Sequence, residues 1–381
     1  MNSPTALLLE LKAKGAAMRQ DISRARHLPS LFYASPEVAQ LEKETIFLTQ
    51  WLVVGREEEV PNPGDYITMR VVGEPLIVSR DADGSIVVMR NQCLHRGVEV
   101  AFGQGNTRSF VCPYHAWGYD PGGRLRGAAY MDRSEADLSH AQLPRLSTAL
   151  WRGWIFATFS DNPQPFEQFI AGYDKELWYY RTQDCVLGDK MVVEVNCNWK
   201  FVAENLLDRY HTGTLHAKTF GKLRTSDPDE FEFARIPGGG CSNISMAAPH
   251  TQDGKQAFKM LPWLADHGGL SFAAKANIFP NVNLSTRADS IRLWALWPLA
   301  TDRTQIVSYL LFAKGALEAP DFAQQLATYR EYILKIIAED RSAVESLQRV
   351  AESYKYEPGP MSHLEGPIHN LLNHYLDVIG A

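Results

Sequence analysis

The chain has 381 residues, 45% hydrophobic and 22% charged, which is ordinary for a globular enzyme and enough for two domains. A net charge of -6 offers no electrostatic footprint for nucleic acid. Five cysteines are too few for a disulfide framework and fit a reducing cytoplasm; Met1–Gln20 has only the apolar run Ala6–Leu9, not a signal-peptide core, and no window approaches the ~18–20 apolar residues of a membrane span.

Val38, Leu41, Ile46 and Phe47 fall at helical spacing behind Pro36 and predict a helix over 36–50. From Trp51 the pattern shifts to short β-rich runs at 51–54, 66–72, 75–79 and 86–91. Pro61-Asn62-Pro63-Gly64 and Asp81-Ala82-Asp83-Gly84 punctuate them as turns. With further strands nearby and at 154–159, residues 46–160 read as one small antiparallel β domain. Asp161-Asn162-Pro163-Gln164-Pro165 marks a boundary. Beyond it we expect a helix to about Arg181, a strand over 190–196 and a helix from Trp199. Strands at 290–299 and 305–313 and a long amphipathic helix over 321–354 complete the second domain, 161–381. Helices mixed with an antiparallel sheet indicate the α+β class.

Within the β block, Cys93-Leu94-His95 and Cys112-Pro113-Tyr114-His115 each supply one thiolate and one imidazole. A two-iron cluster with two Cys on one iron and two His on the other needs that split. Structural zinc sites instead group Cys with Cys and His with His, which makes zinc the weaker alternative. Arg96-Gly97 after the first pair, and Pro113, Gly118, Pro121, Gly122 and Gly123 around the second, suit tight ligand loops.

Cys-Leu-His-Arg-Gly and Cys-Pro-Tyr-His-Ala-Trp resemble the Rieske domain of the ring-hydroxylating oxygenase α-subunits. Respiratory-chain Rieske proteins, whose loops carry two additional cysteines, match less well. The resemblance implies Cys93, His95, Cys112 and His115 as [2Fe–2S] ligands, with Trp117 packed over their loops. It also implies a helix-grip (START/Bet v1-like) catalytic domain after the Rieske domain, with residues 1–45 as a helical segment packed on it.

A second constellation lies in the helix from Trp199. Glu204, Asp208 and His211 stand at i, i+4 and i+7 and are expected on one helical face. His216 follows after Gly213, where the helix can loosen and bring the two imidazoles to one point. Two His and one carboxylate make the facial triad of non-haem Fe(II) oxygenases. In the long helix, Phe322, Leu326, Tyr329, Ile333, Ile337, Val344 and Leu347 form an apolar stripe that Asp340 interrupts. A carboxylate there needs a cation or hydrogen-bond partner. An Fe(II) ion and an ordinary buried ion pair both satisfy that requirement.

The same resemblance extends to these segments and implies His211, His216 and Asp340 as iron ligands, with Glu339 as the runner-up for Asp340. It implies that Asp208 links the iron histidine to a Rieske histidine of the neighbouring subunit, and hence a head-to-tail homotrimer. Asn205 is a candidate for the iron pocket, and Arg287 and Arg292 are weaker candidates for the substrate cavity. No Gly-rich dinucleotide fingerprint is present: Gly103-Gln104-Gly105 lacks a third Gly. Electrons are therefore expected from a separate NAD(P)H-dependent reductase, directly or through a ferredoxin, and a β subunit is compatible with the chain. The expected activity is O2-dependent hydroxylation or dihydroxylation of a small aromatic substrate. Oxidation of a quaternary ammonium compound is the alternative, because the segments 339–348 and 368–372 also resemble carnitine-type oxygenases. A Rieske electron carrier without mononuclear iron is the alternative of another class.

Overall fold

A computed structural model describes residues 4–223, 232–353 and 356–381. The chain divides into two compact units, Phe47–Phe166 and Met1–Ile46 with Glu167–Ala381. Among the described residues, no helix is long and apolar enough to cross a membrane.

The Phe47–Phe166 unit is all antiparallel. It contains β1 (Leu52–Arg56), β2 (Asp65–Val71), β3 (Glu74–Arg80), β4 (Ile86–Arg90) and β5 (Gln104–Asn106). They are followed by β6 (Phe110–Val111), β7 (Gly118–Tyr119), β8 (Leu125–Gly127), β9 (Ser147–Trp151) and β10 (Trp154–Thr158). These form three sheets ordered β1-β10-β9, β4-β3-β2-β5 and β6-β7-β8. One core cluster joins Ile77, Val87, Met89, Phe110, Trp117, Tyr119 and Leu143 with both Cys93 and Cys112. The cysteines therefore sit in the packed interior while the loops that carry them reach the surface.

The other unit begins with α1 (Pro4–Gly15), α2 (Leu31–Ala34) and α3 (Pro36–Glu42). Ser35 caps α3 by accepting from the Val38 amide at 3.3 Å. The helix expected to run on to residue 50 instead loosens into a π-helical turn at Lys43–Phe47. After α4 (Phe166–Glu176) comes a seven-stranded antiparallel sheet made of β11 (Cys185–Val195), β12 (Ala234–Ile236), β13 (Gly240–Met246), β14 (Phe272–Ile278), β15 (Val282–Arg287), β16 (Ser290–Ala300) and β17 (Arg303–Ala313). Its order is β11-β17-β16-β15-β14-β13-β12. α5 (Trp199–Leu207), α6 (Thr212–Leu215), α7 (Phe322–Ala351) and α8 (Gly366–Ile379) complete the unit. α7 packs Phe322, Tyr329, Tyr332, Ile333 and Ile336 on Met191, Leu310 and Phe312 of the sheet.

Sequence periodicity missed β12 to β15. β14 is Phe-Ala-Ala-Lys-Ala-Asn-Ile and β15 is Val-Asn-Leu-Ser-Thr-Arg, buried on both faces, so neither shows apolar/polar alternation. In α7 the expected stripe is only partly right: Leu347 is 46% exposed, whereas Tyr332, Ile336 and Gln348 are buried. Gln348 accepts from the Asn198 amide at 2.9 Å, so the end of this helix is held by polar contact rather than by an apolar residue. The expected helix end at Tyr354 lies outside the described residues.

One buried carboxylate ties three helices together. Glu42, at the end of α3, accepts from Trp199 Nε1 at 2.9 Å, from Tyr375 Oη at 2.7 Å and from Lys200 Nζ. Lys200 and Glu42 are almost fully buried. Burial pushes the Lys200 ammonium down, and Glu42 opposes that shift. This contact fixes the start of α5, whose other end leads into the histidines. Glu42→Ala leaves Lys200 uncompensated and is expected to lower unfolding free energy by about 3–5 kcal/mol. Urea denaturation checks this, with Glu42→Gln expected to be milder.

Candidate metal centres

The two ligand loops of the β unit have the same backbone construction. In the first, the Gly97 amide donates to the Cys93 carbonyl and the Cys93 amide to the Val98 carbonyl, both at 2.8 Å. In the second, the Ala116 amide donates to the Cys112 carbonyl at 3.0 Å and the Cys112 amide to the Trp117 carbonyl at 2.8 Å. Each turn closes through a left-handed residue, Gly97 at φ 79° and Ala116 at φ 57°. The loops thereby bring His95 Nδ1 to 3.0 Å from His115 Nδ1. The Trp117 indole stacks on the His95 ring at 5.2 Å. The Tyr119 hydroxyl lies 3.2 Å from Cys93 Sγ and accepts from the Leu94 amide. Buried Asn91 accepts from the amides of Val100 and Ala101, pinning the chain just after the first loop. Two buried thiols and two converging imidazoles are a donor set that fits a [2Fe–2S] cluster of the Rieske kind.

The second site is built where α5 ends. The expectation that Glu204, Asp208 and His211 share one helical face is corrected. The helix stops at Leu207, and Asp208 is its C-cap with ψ 133°. Asp208 then reaches forward locally: Oδ1 accepts from the Tyr210 amide at 2.6 Å and Oδ2 from His211 Nδ1 at 2.8 Å. His211 and His216 flank the single turn of α6. His216 Nδ1 donates to Glu339 Oε2 at 2.7 Å, and Thr219 Oγ1 donates to the same oxygen at 2.7 Å.

Each ring therefore has Nδ1 engaged by a carboxylate, which leaves the Nε2 lone pair as the free donor. The two Nε2 atoms lie 3.2 Å apart. Asp340 Oδ1 is 3.1 Å from His216 Nε2 and 3.6 Å from His211 Nε2. Asn205 Nδ2 steadies that oxygen at 3.3 Å. The donor atoms of His211, His216 and Asp340 all lie within 4.8 Å of one another, a set that could hold one metal ion. Burial pushes the Asp208 carboxyl up, but the His211 hydrogen bond and charge outweigh it and the net shift is downward. Burial pushes His216 down, and Asp340 and Glu339 reverse that shift.

A cavity of about 60 Å³ adjoins this site, lined in part by Thr212, Phe220, Met246, Arg209, Lys275 and Arg287. Phe220 connects the two, with its ring 4.4 Å from that of His216.

The structure gathers His211, His216, Asp340, Asn205 and Asp208 at one place, and Cys93, His95, Cys112 and His115 at the other. Glu339, the runner-up to Asp340, points instead to the back of His216. Sequence reasoning missed Thr219, Phe220, His250 and Lys275. The adjacent Glu339-Asp340 pair was the one legible sign that a second acid serves the site.

Residues 182–381 match the model of the ring hydroxylating alpha subunit (catalytic domain), and residues 50–145 match the Rieske [2Fe-2S] domain. The chain is similar to the glycine betaine monooxygenase oxygenase subunit of Pseudomonas aeruginosa, at 26% identity over 88% of this chain and 84% of that one. It is 35% identical to the benzene 1,2-dioxygenase subunit alpha of Pseudomonas putida, over 54% of this chain and 47% of that one. In fold it is similar to a crystal structure of a quaternary ammonium Rieske monooxygenase, with TM-score 0.79, 22% identity and coverage of 97% and 98%. With a Rieske [2Fe–2S] domain ahead of the catalytic domain that binds mononuclear iron in these proteins, the chain belongs to the ring-hydroxylating oxygenase α-subunit family and is the terminal oxygenase of a Rieske non-haem iron system.

Proposed function

We propose that His211, His216 and Asp340 hold the mononuclear Fe(II), that Cys93, His95, Cys112 and His115 hold the cluster, and that the enzyme oxygenates a small substrate in the adjoining cavity. The observation that carries this is the convergence of two imidazole Nε2 atoms and one carboxylate oxygen, with both Nδ1 atoms secured from behind. Iron at such a site supplies O2 activation, and the cluster supplies single electrons. The chain's own residues prepare the site. Asp208 and Glu339 fix ring orientation and tautomer and raise the basicity of Nε2. Asn205 keeps Asp340 turned toward the histidines. Phe220 forms an apolar wall between His216 and the cavity.

Aromatic ring oxygenation is the better supported substrate reading. A bare quaternary ammonium ion would face the charges of Arg209, Lys275 and Arg287 at the cavity lining. It would also find few of the aromatic faces that bind such ions.

The working unit we propose is a homotrimeric ring served by a separate NAD(P)H-dependent reductase, directly or through a ferredoxin, in the cytoplasm. Asp208 and His211 line an open groove that also presents Leu347 and Val350, 46% and 43% exposed. That surface suits docking of a neighbouring subunit's Rieske loops, where His95 is exposed. Cys185, Cys197 and Cys241, the cysteines outside the cluster loops, form no disulfide, which suits a reducing compartment.

Fully loaded enzyme should contain about three irons and about two acid-labile sulfides per chain. His211→Ala should lose the mononuclear iron and oxygenation while keeping the cluster's visible absorption; a bleached cluster would overturn the partition of ligands. Glu339→Gln should weaken iron binding or activity roughly ten- to hundredfold, because His216 loses its anionic partner. Glu345 instead accepts from Asn196 and Arg341, so Glu345→Ala should leave iron content unchanged. Asp208→Asn should retain both metal centres but slow cluster reoxidation in a single turnover with substrate and O2 by roughly ten- to hundredfold.

A further inference from the structure

The cavity beside the triad carries more positive charge than its own residues neutralise. Directly paired residues in an antiparallel sheet share a face. Asn243, Lys275, Ser285 and Arg292 form one such row across β13 to β16. Arg287 lies two residues beyond Ser285 on β15 and so belongs to the same face. Arg292 reaches α7 from it, donating from Nη2 to the Tyr329 hydroxyl at 3.1 Å.

None of Lys275, Arg287 and Arg292 has an anionic partner among the described residues. Arg287 is 7% exposed and donates from Nη1 to the Thr286 carbonyl at 3.1 Å. Its Nη2 lies 2.6 Å from His250 Nε2. Burial and the neighbouring cations hold His250 well below its ordinary pKa, so it receives that bond as a neutral ring. Arg287 Nε is buried without any partner, as is Nε of Arg292, which is 6% exposed. Among the described residues, Lys275 forms neither a hydrogen bond nor an ion pair, and nearby charges act on it only through space.

Among the described residues, the acids nearest these cations are committed elsewhere. Asp289 accepts from the amides of Ala257 and Phe258 and from Ser290. Asp208 and Asp340 serve the histidines and Asn205. Burial, and then Arg287, bring Lys275 down to about 8, while burial brings Arg287 down to about 10. Buried charges of one sign without counter-ions are costly to keep. An anion that enters the cavity removes that cost.

The rings of His216 and Phe220 are 4.4 Å apart, those of Phe220 and His250 5.1 Å, and His250 touches Arg287. Phe220 and His250 thus form a chain of contacts from His216 to the unneutralised charge.

We infer that the substrate carries a carboxylate, anchored by Lys275 and Arg287, which turns the opposite end of the molecule toward His211, His216 and Asp340. This rests on the triad being the iron site. An aromatic acid and a zwitterionic betaine share the anchoring group, and only what lies beyond it differs. Arg is suited to the task because its planar fork engages a carboxylate through two parallel bonds.

The test measures binding of four probes to anaerobic, iron-loaded enzyme by calorimetry: benzoate, benzamide, glycine betaine and choline. Benzoate should bind roughly ten- to hundredfold more tightly than benzamide, or glycine betaine than choline by the same factor. Preference for benzoate over glycine betaine identifies an aromatic acid, and the reverse preference identifies a betaine. Lys275→Met and Arg287→Met should each reduce carboxylate affinity by a similar factor, with circular dichroism and iron content unchanged. Benzamide or choline binding as tightly as its carboxylate counterpart would overturn the inference. So would no binding of either carboxylate, or carboxylate affinity unaffected in both variants. Iron analysis of the same wild-type sample tests the metal reading separately: a protein that binds carboxylates but holds only cluster iron would refute the triad and not the anion site.

Discussion

The catalytic unit depends on two carboxylate–imidazole contacts, Asp208 with His211 and Glu339 with His216. Two nitrogen lone pairs facing each other at 3.2 Å repel unless a proton or a cation lies between them. Engaging both Nδ1 atoms reserves the Nε2 lone pairs for a shared cation, and Asp340 supplies the negative charge that makes the point electrostatically favourable. Each contact comes from a different part of the fold. Asp208 acts within its own loop, whereas Glu339 and Asp340 come from the middle of α7. The site therefore exists only if α7 and the end of α5 are in register. Gln348 on the Asn198 amide ties α7 to the start of α5, and Glu42 holds that start through Trp199 and Lys200.

The sheet is organised around the same site at the expense of ordinary packing. Asn283 Oδ1 and Ser308 Oγ lack partners although buried, as do the two arginine Nε atoms. A sheet chosen for stability alone would fill those positions with branched apolar residues. Here polar groups line the inner face of β14 to β17, and the stabilising apolar contact is displaced to the end of α7, where Phe258, Phe312 and Phe322 cluster.

What could be read from the sequence follows from this division. The Rieske loops were legible because both Cys–His pairs, the turn residues and Trp117 lie within one short stretch. His211, His216 and Asp340 were singled out in the sequence and the structure brings them together, but partly for a different reason. The shared helical face does not exist; Asp208 meets His211 across a turn after the helix ends. Asp340 showed itself as a polar break in an apolar stripe, a signal that survives even though Leu347 of that stripe is exposed and Tyr332 and Ile336 take part in the core. β12 to β15 were illegible because cavity lining erases the two-residue alternation by which strands are recognised. Arg287 and Arg292 were seen only as candidates, since an arginine in a strand does not reveal whether a carboxylate stands beside it. Lys275 gave no sign at all.

The two centres use opposite ends of the imidazole ring, and that difference is a division of labour. In the Rieske loops the Nδ1 atoms of His95 and His115 converge, so the Nε2 edge of each ring points away from the centre. His95 is exposed, and its contact is the flat face of Trp117 rather than a carboxylate. Without an anionic partner within hydrogen-bond reach among the described residues, such a ring keeps an edge available to a partner and a low electron density on the cluster side. At the second centre the Nε2 atoms converge and the Nδ1 atoms are backed by anions, which makes those rings stronger donors. Weaker donation favours a centre that takes up and releases electrons at a raised potential, whereas stronger donation favours one that retains a single ion through turnover. The choice is made by the backbone. A C-x-H or C-x-x-H turn closed through a left-handed residue presents Nδ1 inward, and histidines flanking one helical turn, each with an acid behind it, present Nε2.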